Sequence, residues 1–170
     1  MLKLLVPLLV GAACQAAPAD FPPAIGQPRQ FVSDFLYAIR QVESGDRYDG
    51  PVGPRGELGA YQFRRQVWFQ HTRAPFSQAR TTYADAVAEK HFRWIAETLR
   101  SAGLAATAWN FAAAWNCGVD NVLVGRIPRK TRDYASRVQN IVEEEVSLRR
   151  SLAPHFPIAA SGAVAAAIGR

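Results

Sequence analysis

Residues 105–117 read AATAWNFAAAWNC. Alanine is the best helix former, and this run has almost no polar side to turn toward water. A helix that is apolar nearly all round must be enclosed by other elements, so the sequence predicts a buried central helix. The flanking segments predict what encloses it. Residues 30–44 place Val32, Leu36, Ile39 and Glu43 at steps of four, three and four, along one helical face that Phe35 and Val42 widen. Residues 60–71 read as a short helix with bulk from Val67, Trp68 and Phe69. Residues 82–102 read as the longest, with Tyr83, Ala86, Val87, Phe92, Trp94, Ile95 and Leu99 as apolar members and Gly103 as its stop. A short helical turn at 119–125 and a break at Ile127-Pro128 lead to a last helix at 131–148, with Tyr134, Val138, Ile141 and Val142 facing in. Only residues 45–58, GDRYDGPVGPRGEL, resist this pattern. Their four glycines and two prolines predict an irregular loop or a short β-hairpin. The expected fold is one mostly α domain over residues 30–149 with a single non-helical insertion and no internal repeat. A chain of 170 residues can bury such a core, and 49% hydrophobic against 20% charged residues excludes wholesale disorder.

The two ends read differently. The chain starts MLKLLVPLLVGAACQAAPAD: one lysine, an apolar run too short to span a bilayer, then small residues. That is the layout of a secretory signal peptide over 1–19, with cleavage after Ala16, Ala17 or Ala19; the alternative is a buried N-terminal helix. Cys14 after Gly-Ala-Ala is loosely similar to a lipoprotein box, with Gly11 where leucine is usual, so membrane attachment is expected only if Cys14 is lipidated. Residues 20–29 are a proline-rich lead-in, and 150–170 a Pro/Ala-rich tail. Loss of the leader would remove Lys3 alone among charged residues, taking the formal charge from +6 to +5, and would leave Cys117 as the one thiol. An exported domain without an internal disulfide must be held by its core. Its basic charge points to an anionic partner in the periplasm, the cell envelope or the medium.

Glu43 is the residue whose placement asks for chemistry. A carboxylate that closes an apolar stripe is partly desolvated, which raises its pKa and lets it hold a proton near neutral pH. Such a group on a rigid helix suits general acid catalysis. The plain alternative is a solvated glutamate at a frayed helix end.

Four segments bear on that choice. They are QVESG (41–45), GAYQF (59–63), AAAWNCGVDNV (112–122) and GRIPRKTRDYASRV (125–138). In this order the chain resembles the lysozyme-like fold of soluble lytic transglycosylases and goose-type lysozymes: a Glu-Ser pair ending a helix, Gly-x-x-Gln after the insertion, an alanine-rich helix ending Asn-x-Gly, and a Thr-x-x-Tyr segment. The resemblance spans residues 38–138. It implies that Glu43 is the general acid and then base at the β-1,4 bond between N-acetylmuramic acid and N-acetylglucosamine. Ser44 would bond locally and position the acid or the sugar. Gln62 and Asn116 would bind sugar hydroxyl or acetamido groups, Tyr134 would reach back to Glu43, and Tyr61 and Trp115 would offer flat surfaces to sugar rings. Without the resemblance, Gln62, Asn116 and Tyr134 read more readily as helix caps or satisfied buried polar groups. The family's usual Tyr-Asn-Ala-Gly is here Trp115-Asn116-Cys117-Gly118, and Gly-Leu-Met-Gln is Gly59-Ala60-Tyr61-Gln62. Cys117 reads as packing, since no histidine lies near it in sequence.

The resemblance implies peptidoglycan glycan strands as the partner; a monomer is expected, and with no Gly-rich phosphate loop after a strand no cofactor is expected. One glutamate suffices in the transglycosylases because the substrate's acetamido group and 6-hydroxyl complete the reaction, leaving a 1,6-anhydro end. A hydrolase would need a second carboxylate, for which the loop offers Asp46, Asp49 and Glu57. His71, His91 and His155 show no metal-ligand spacing. Arg126, Arg129, Lys130, Arg132 and Arg137 make either a solvated face or an attraction for anionic wall groups. Two rival classes are a non-catalytic wall-binding module and a helical nucleic-acid binder. The export signal and the lack of a recognition motif argue against the second.

Overall fold

A computed structural model describes residues 29–152. It contains helices α1 (Arg29–Ser44), α2 (Arg65–His71), α3 (Tyr83–Ser101), α4 (Ala108–Cys117), α5 (Val119–Leu123) and α6 (Arg129–Leu152), with a 3₁₀ turn at Phe76–Arg80. The expected leader over 1–19, including Cys14, the lead-in to residue 28 and the tail beyond 152 lie outside the described residues. Among the described residues no helix is long and apolar enough to cross a membrane.

The central helix is α4. No residue of it is exposed, and Ala108 and Phe111–Ala114 are fully enclosed. It packs against α6, α5 and α3, while α1 packs against α6 and α3. Its small side chains let neighbours close in, and phenylalanines fill what remains. Phe31 and Phe35 of α1, Phe92 of α3 and Phe111 of α4 meet with ring centroids 4.7–6.4 Å apart. The helix starts three residues later than expected because Thr107 caps it, its side chain accepting from the Asn110 N–H at 3.1 Å.

Other boundaries also moved. The helix expected at 60–71 begins only at Arg65, because residues 59–63 form a tight turn. There Leu58 and Phe63 exchange both backbone hydrogen bonds, the one β-bridge among the described residues, so the insertion is a loop and not a hairpin. Gly59 makes the turn possible. Its φ is +76°, and a Cβ there would sit 1.7 Å from the Ala79 carbonyl oxygen. Along α3 the buried stripe is Ala84, Val87, Ala88, His91, Phe92, Ile95 and Leu99, whereas Tyr83, Ala86 and Trp94 fall on the outer side of the helix and are exposed. Gly103 stops α3 as expected: at φ +72° it lets the Leu104 N–H return to the Leu99 carbonyl at 3.0 Å. The last helix runs past 148 to Leu152, and Arg149 explains why. Its guanidinium grips both oxygens of buried Asp34 on α1, with Nη1 2.7 Å from Oδ1. Gln30 Nε2 adds a third bond to that carboxylate at 3.0 Å.

Candidate active site

α1 ends one residue after Glu43, and the end is tightly sealed. The N–H groups of Gly45 and Asp46 return to the carbonyls of Gln41 and Arg40, both at 3.1 Å, with Gly45 and Asp46 in the left-handed region at φ 65° and 63°. The Ser44 hydroxyl lies 3.2 Å from the Arg40 carbonyl and 3.0 Å from that of Ala60, and it accepts from the Arg47 N–H at 3.1 Å. Ser44 thus fastens the helix end to the 59–63 turn. Its hydroxyl is committed to the backbone and is not offered to a sugar, which corrects that part of its expected role.

Glu43 is half-buried, at the point where the apolar face of α1 runs out. Buried Tyr134 of α6 donates its hydroxyl to Glu43 Oε1 at 2.8 Å, across 91 residues of sequence. Burial raises the Glu43 pKa to about 7; the negative charge of Glu57 pushes the same way, against the Tyr134 hydrogen bond and the positive charges of Arg137 and Arg64. Burial also lifts the Tyr134 phenol far above 10, so it remains a donor. With Oε1 occupied as an acceptor, Oε2 is the oxygen left to carry a proton. The arrangement is a carboxylic acid, fixed in direction, that can give its proton away near neutral pH.

The loop adds two more polar groups, of which Glu57 acts on Glu43 through its charge. Gln62 has φ +47°, a sparsely populated conformation for a residue with a side chain. Its Nε2 donates to the Gly59 carbonyl at 3.0 Å, and its Oε1 makes no hydrogen bond among the described residues. Glu57 accepts from the Arg55 N–H at 2.8 Å and from Arg64 Nε at 3.3 Å. Burial works against its charge, but the backbone N–H groups and Arg64 outweigh that and hold its pKa below the usual carboxylate value. Glu57 and Gln62 converge on Gly53, where an added Cβ would stand 2.6 Å from Glu57 Oε2 and 2.7 Å from Gln62 Oε1. Of the other loop carboxylates, Asp46 is paired with Arg40 and Asp49 is exposed. At the end of α4, Asn116 Oδ1 accepts from Thr131 Oγ1 at 2.7 Å, which leaves its Nδ2 without a partner among the described residues.

Tyr61 is not a sugar platform. It is 1% exposed. Its hydroxyl donates to Asp85 Oδ1 at 2.6 Å and accepts from Arg40 Nη1 at 2.9 Å. Tyr48 donates to the same carboxylate at 2.7 Å. This network pins both ends of the loop to α1 and α3. Trp115 is half-buried, and its ring meets Phe35, Tyr61, Phe63 and His91 with centroids 4.8–6.3 Å away, so only part of it faces outward.

The spacing of the histidines in sequence did not reveal that two of them meet. His71 Nε2 lies 3.0 Å from His91 Nδ1. Burial pushes buried His91 down to about 3 and lowers His71, so both stay neutral at physiological pH. His155 lies outside the described residues. No group of three or more His, Cys, Asp or Glu is gathered for a metal among the described residues. Burial pushes the half-buried Cys117 thiol up, away from a reactive thiolate. Comparison of the chain with family models, with curated proteins and with solved structures found no match.

Proposed function

We propose that this chain is an exported enzyme with a lysozyme-like fold that cleaves the glycan strands of peptidoglycan. The observation that carries the reading is the Glu43 carboxyl: half-buried, aimed by Tyr134 and protonated to about pH 7. Glu43 protonates the glycosidic oxygen between N-acetylmuramic acid and N-acetylglucosamine from Oε2. The departing bond leaves an oxocarbenium-like centre, which the substrate's own acetamido oxygen stabilises. Glu43, now a carboxylate, takes the proton of the sugar's 6-hydroxyl as that oxygen attacks the anomeric carbon. The product end is 1,6-anhydro-N-acetylmuramic acid, and Glu43 regains its proton. Asn116 Nδ2 and Gln62 Oε1 are free to hold sugar substituents.

Glu57 favours a second reading, a hydrolase of the same fold. It is charged, it acts on Glu43, and its side chain is only 12% exposed. A carboxylate so placed can orient a water to attack in place of the 6-hydroxyl. Masses of the products from purified peptidoglycan separate the two, since anhydro and reducing ends differ by one water. Glu43→Gln keeps the Tyr134 hydrogen bond and should abolish nearly all turnover. Wild-type turnover in that variant would remove Glu43 from the chemistry.

A further inference from the structure

Helix α6 carries Lys130, Tyr134 and Arg137 at positions i, i+4 and i+7, a single stripe along the helix. Tyr134 is the residue that bonds Glu43. Lys130 stands one turn before it and Arg137 one turn after, about 10 Å apart along the axis. Both are exposed. Neither takes part in any of the four salt bridges among the described residues, and neither side chain makes a hydrogen bond there. Asp133, the nearest carboxylate by helical spacing, pairs with neither. The contrast with Arg64 is informative, because that other guanidinium acting on Glu43 is already matched with Glu57. Arg137 acts on Glu43 only through its charge, with no ion pair or hydrogen bond between them, so its donors are open to a ligand.

We propose that Lys130 and Arg137 form a two-point binding site for carboxylates carried by the glycan substrate, flanking the bond that Glu43 attacks. The proposal rests on the peptidoglycan reading and adds to it that the stem-peptide carboxylates are read directly. Arginine can take a carboxylate through two parallel hydrogen bonds, while lysine acts as a point charge with three donors. Arg132 supplies an internal control. It is also exposed and makes no ion pair or side-chain hydrogen bond among the described residues, but two residues on from Lys130 it lies on the other side of α6.

The test is co-sedimentation of the wild type, Lys130→Gln/Arg137→Gln and Arg132→Gln with purified peptidoglycan, and with the same material after its carboxyls have been converted to amides. Circular dichroism melts confirm that all three proteins fold. The double variant should bind native peptidoglycan about tenfold more weakly at low salt, with the deficit shrinking at high salt. It should match the wild type on the amidated material, and Arg132→Gln should match the wild type on both. Where turnover is followed, the loss should appear in KM, and the acid-controlled limb of the pH profile should move to higher pH because Arg137 lowers the Glu43 pKa. Equal binding by double variant and wild type, or an equal loss in Arg132→Gln, overturns the proposal. So does a pattern in which the double variant loses binding only to anionic phospholipid vesicles, which would assign the stripe to a membrane surface. Because sedimentation requires no turnover, an inactive wild type would refute the catalytic reading while this site is still decided.

Discussion

Replacing Glu43 with glutamine should make the protein more stable, and only above a definite pH. An ordinary glutamate titrates at 4.5, and Glu43 titrates at about 7. At about 1.4 kcal/mol per tenfold change in proton concentration, that difference is worth about 3 kcal/mol. The sign follows from which state holds the proton. Between the two values the native protein keeps a proton that the unfolded chain has released. The site's contribution to stability is therefore complete below pH 4.5 and is lost as pH rises through 7. Glutamine has the same shape, accepts the same Tyr134 hydrogen bond and carries no charge at any pH. Urea denaturation of wild type and Glu43→Gln at about pH 4 and about pH 8 should show the stability difference moving in the variant's favour by up to about 3 kcal/mol. Parallel pH dependences would refute the reasoning, for they would mean that Glu43 is a solvated glutamate at a helix end.

Removing the Tyr134 hydroxyl deletes an interaction that lowers the Glu43 pKa. In Tyr134→Phe the acid-controlled limb of the pH–activity profile should therefore move to higher pH, as steady-state rates will show. Gly59→Ala should cost more than about 3 kcal/mol in chemical denaturation, since its Cβ meets the Ala79 carbonyl, whereas Gly56→Ala, at φ +80° with open space around it, should cost about 1 kcal/mol. Phe111→Ala removes the ring at the centre of the aromatic cluster and should cost about 3–5 kcal/mol by the same measurement. Truncation after residue 148 takes Arg149 from Asp34 and should lower the melting temperature more than truncation after 150, as calorimetry can check.

Much of the helical framework was legible because helical periodicity is local. The all-apolar character of 105–117 and the stripe of 30–44 depend only on near neighbours, and both gave true helices. Residues 60–64 look just as helical, but a long-range event decides their fate: Gly59 lets the chain press against Ala79, and the following residues turn to follow it. Tyr61 illustrates the same limit. Its position beside Gln62 made it look like part of a sugar surface, while its hydroxyl is claimed by Asp85 and Arg40, 24 and 21 residues away. The Glu43–Tyr134 contact was expected from the family resemblance and is present. The Asp34–Arg149 clamp, the His71–His91 contact and the convergence of Glu57 and Gln62 on Gly53 were not readable. Each joins residues that carry no mark of one another in sequence. Asp34 itself gave no signal, because two residues on from Val32 it falls away from the apolar stripe that the sequence shows on α1, although the fold buries it.

The most direct test of the account is mass spectrometry of the soluble products released from purified peptidoglycan by the wild type and by Glu43→Gln. The account predicts muropeptides ending in 1,6-anhydro-N-acetylmuramic acid from the wild type and almost none from the variant. Reducing ends in their place would move the chemistry to hydrolysis with Glu57 as partner. No products from a folded wild-type protein, or equal products from both proteins, would contradict the central claim that Glu43 is the acid that breaks the glycan.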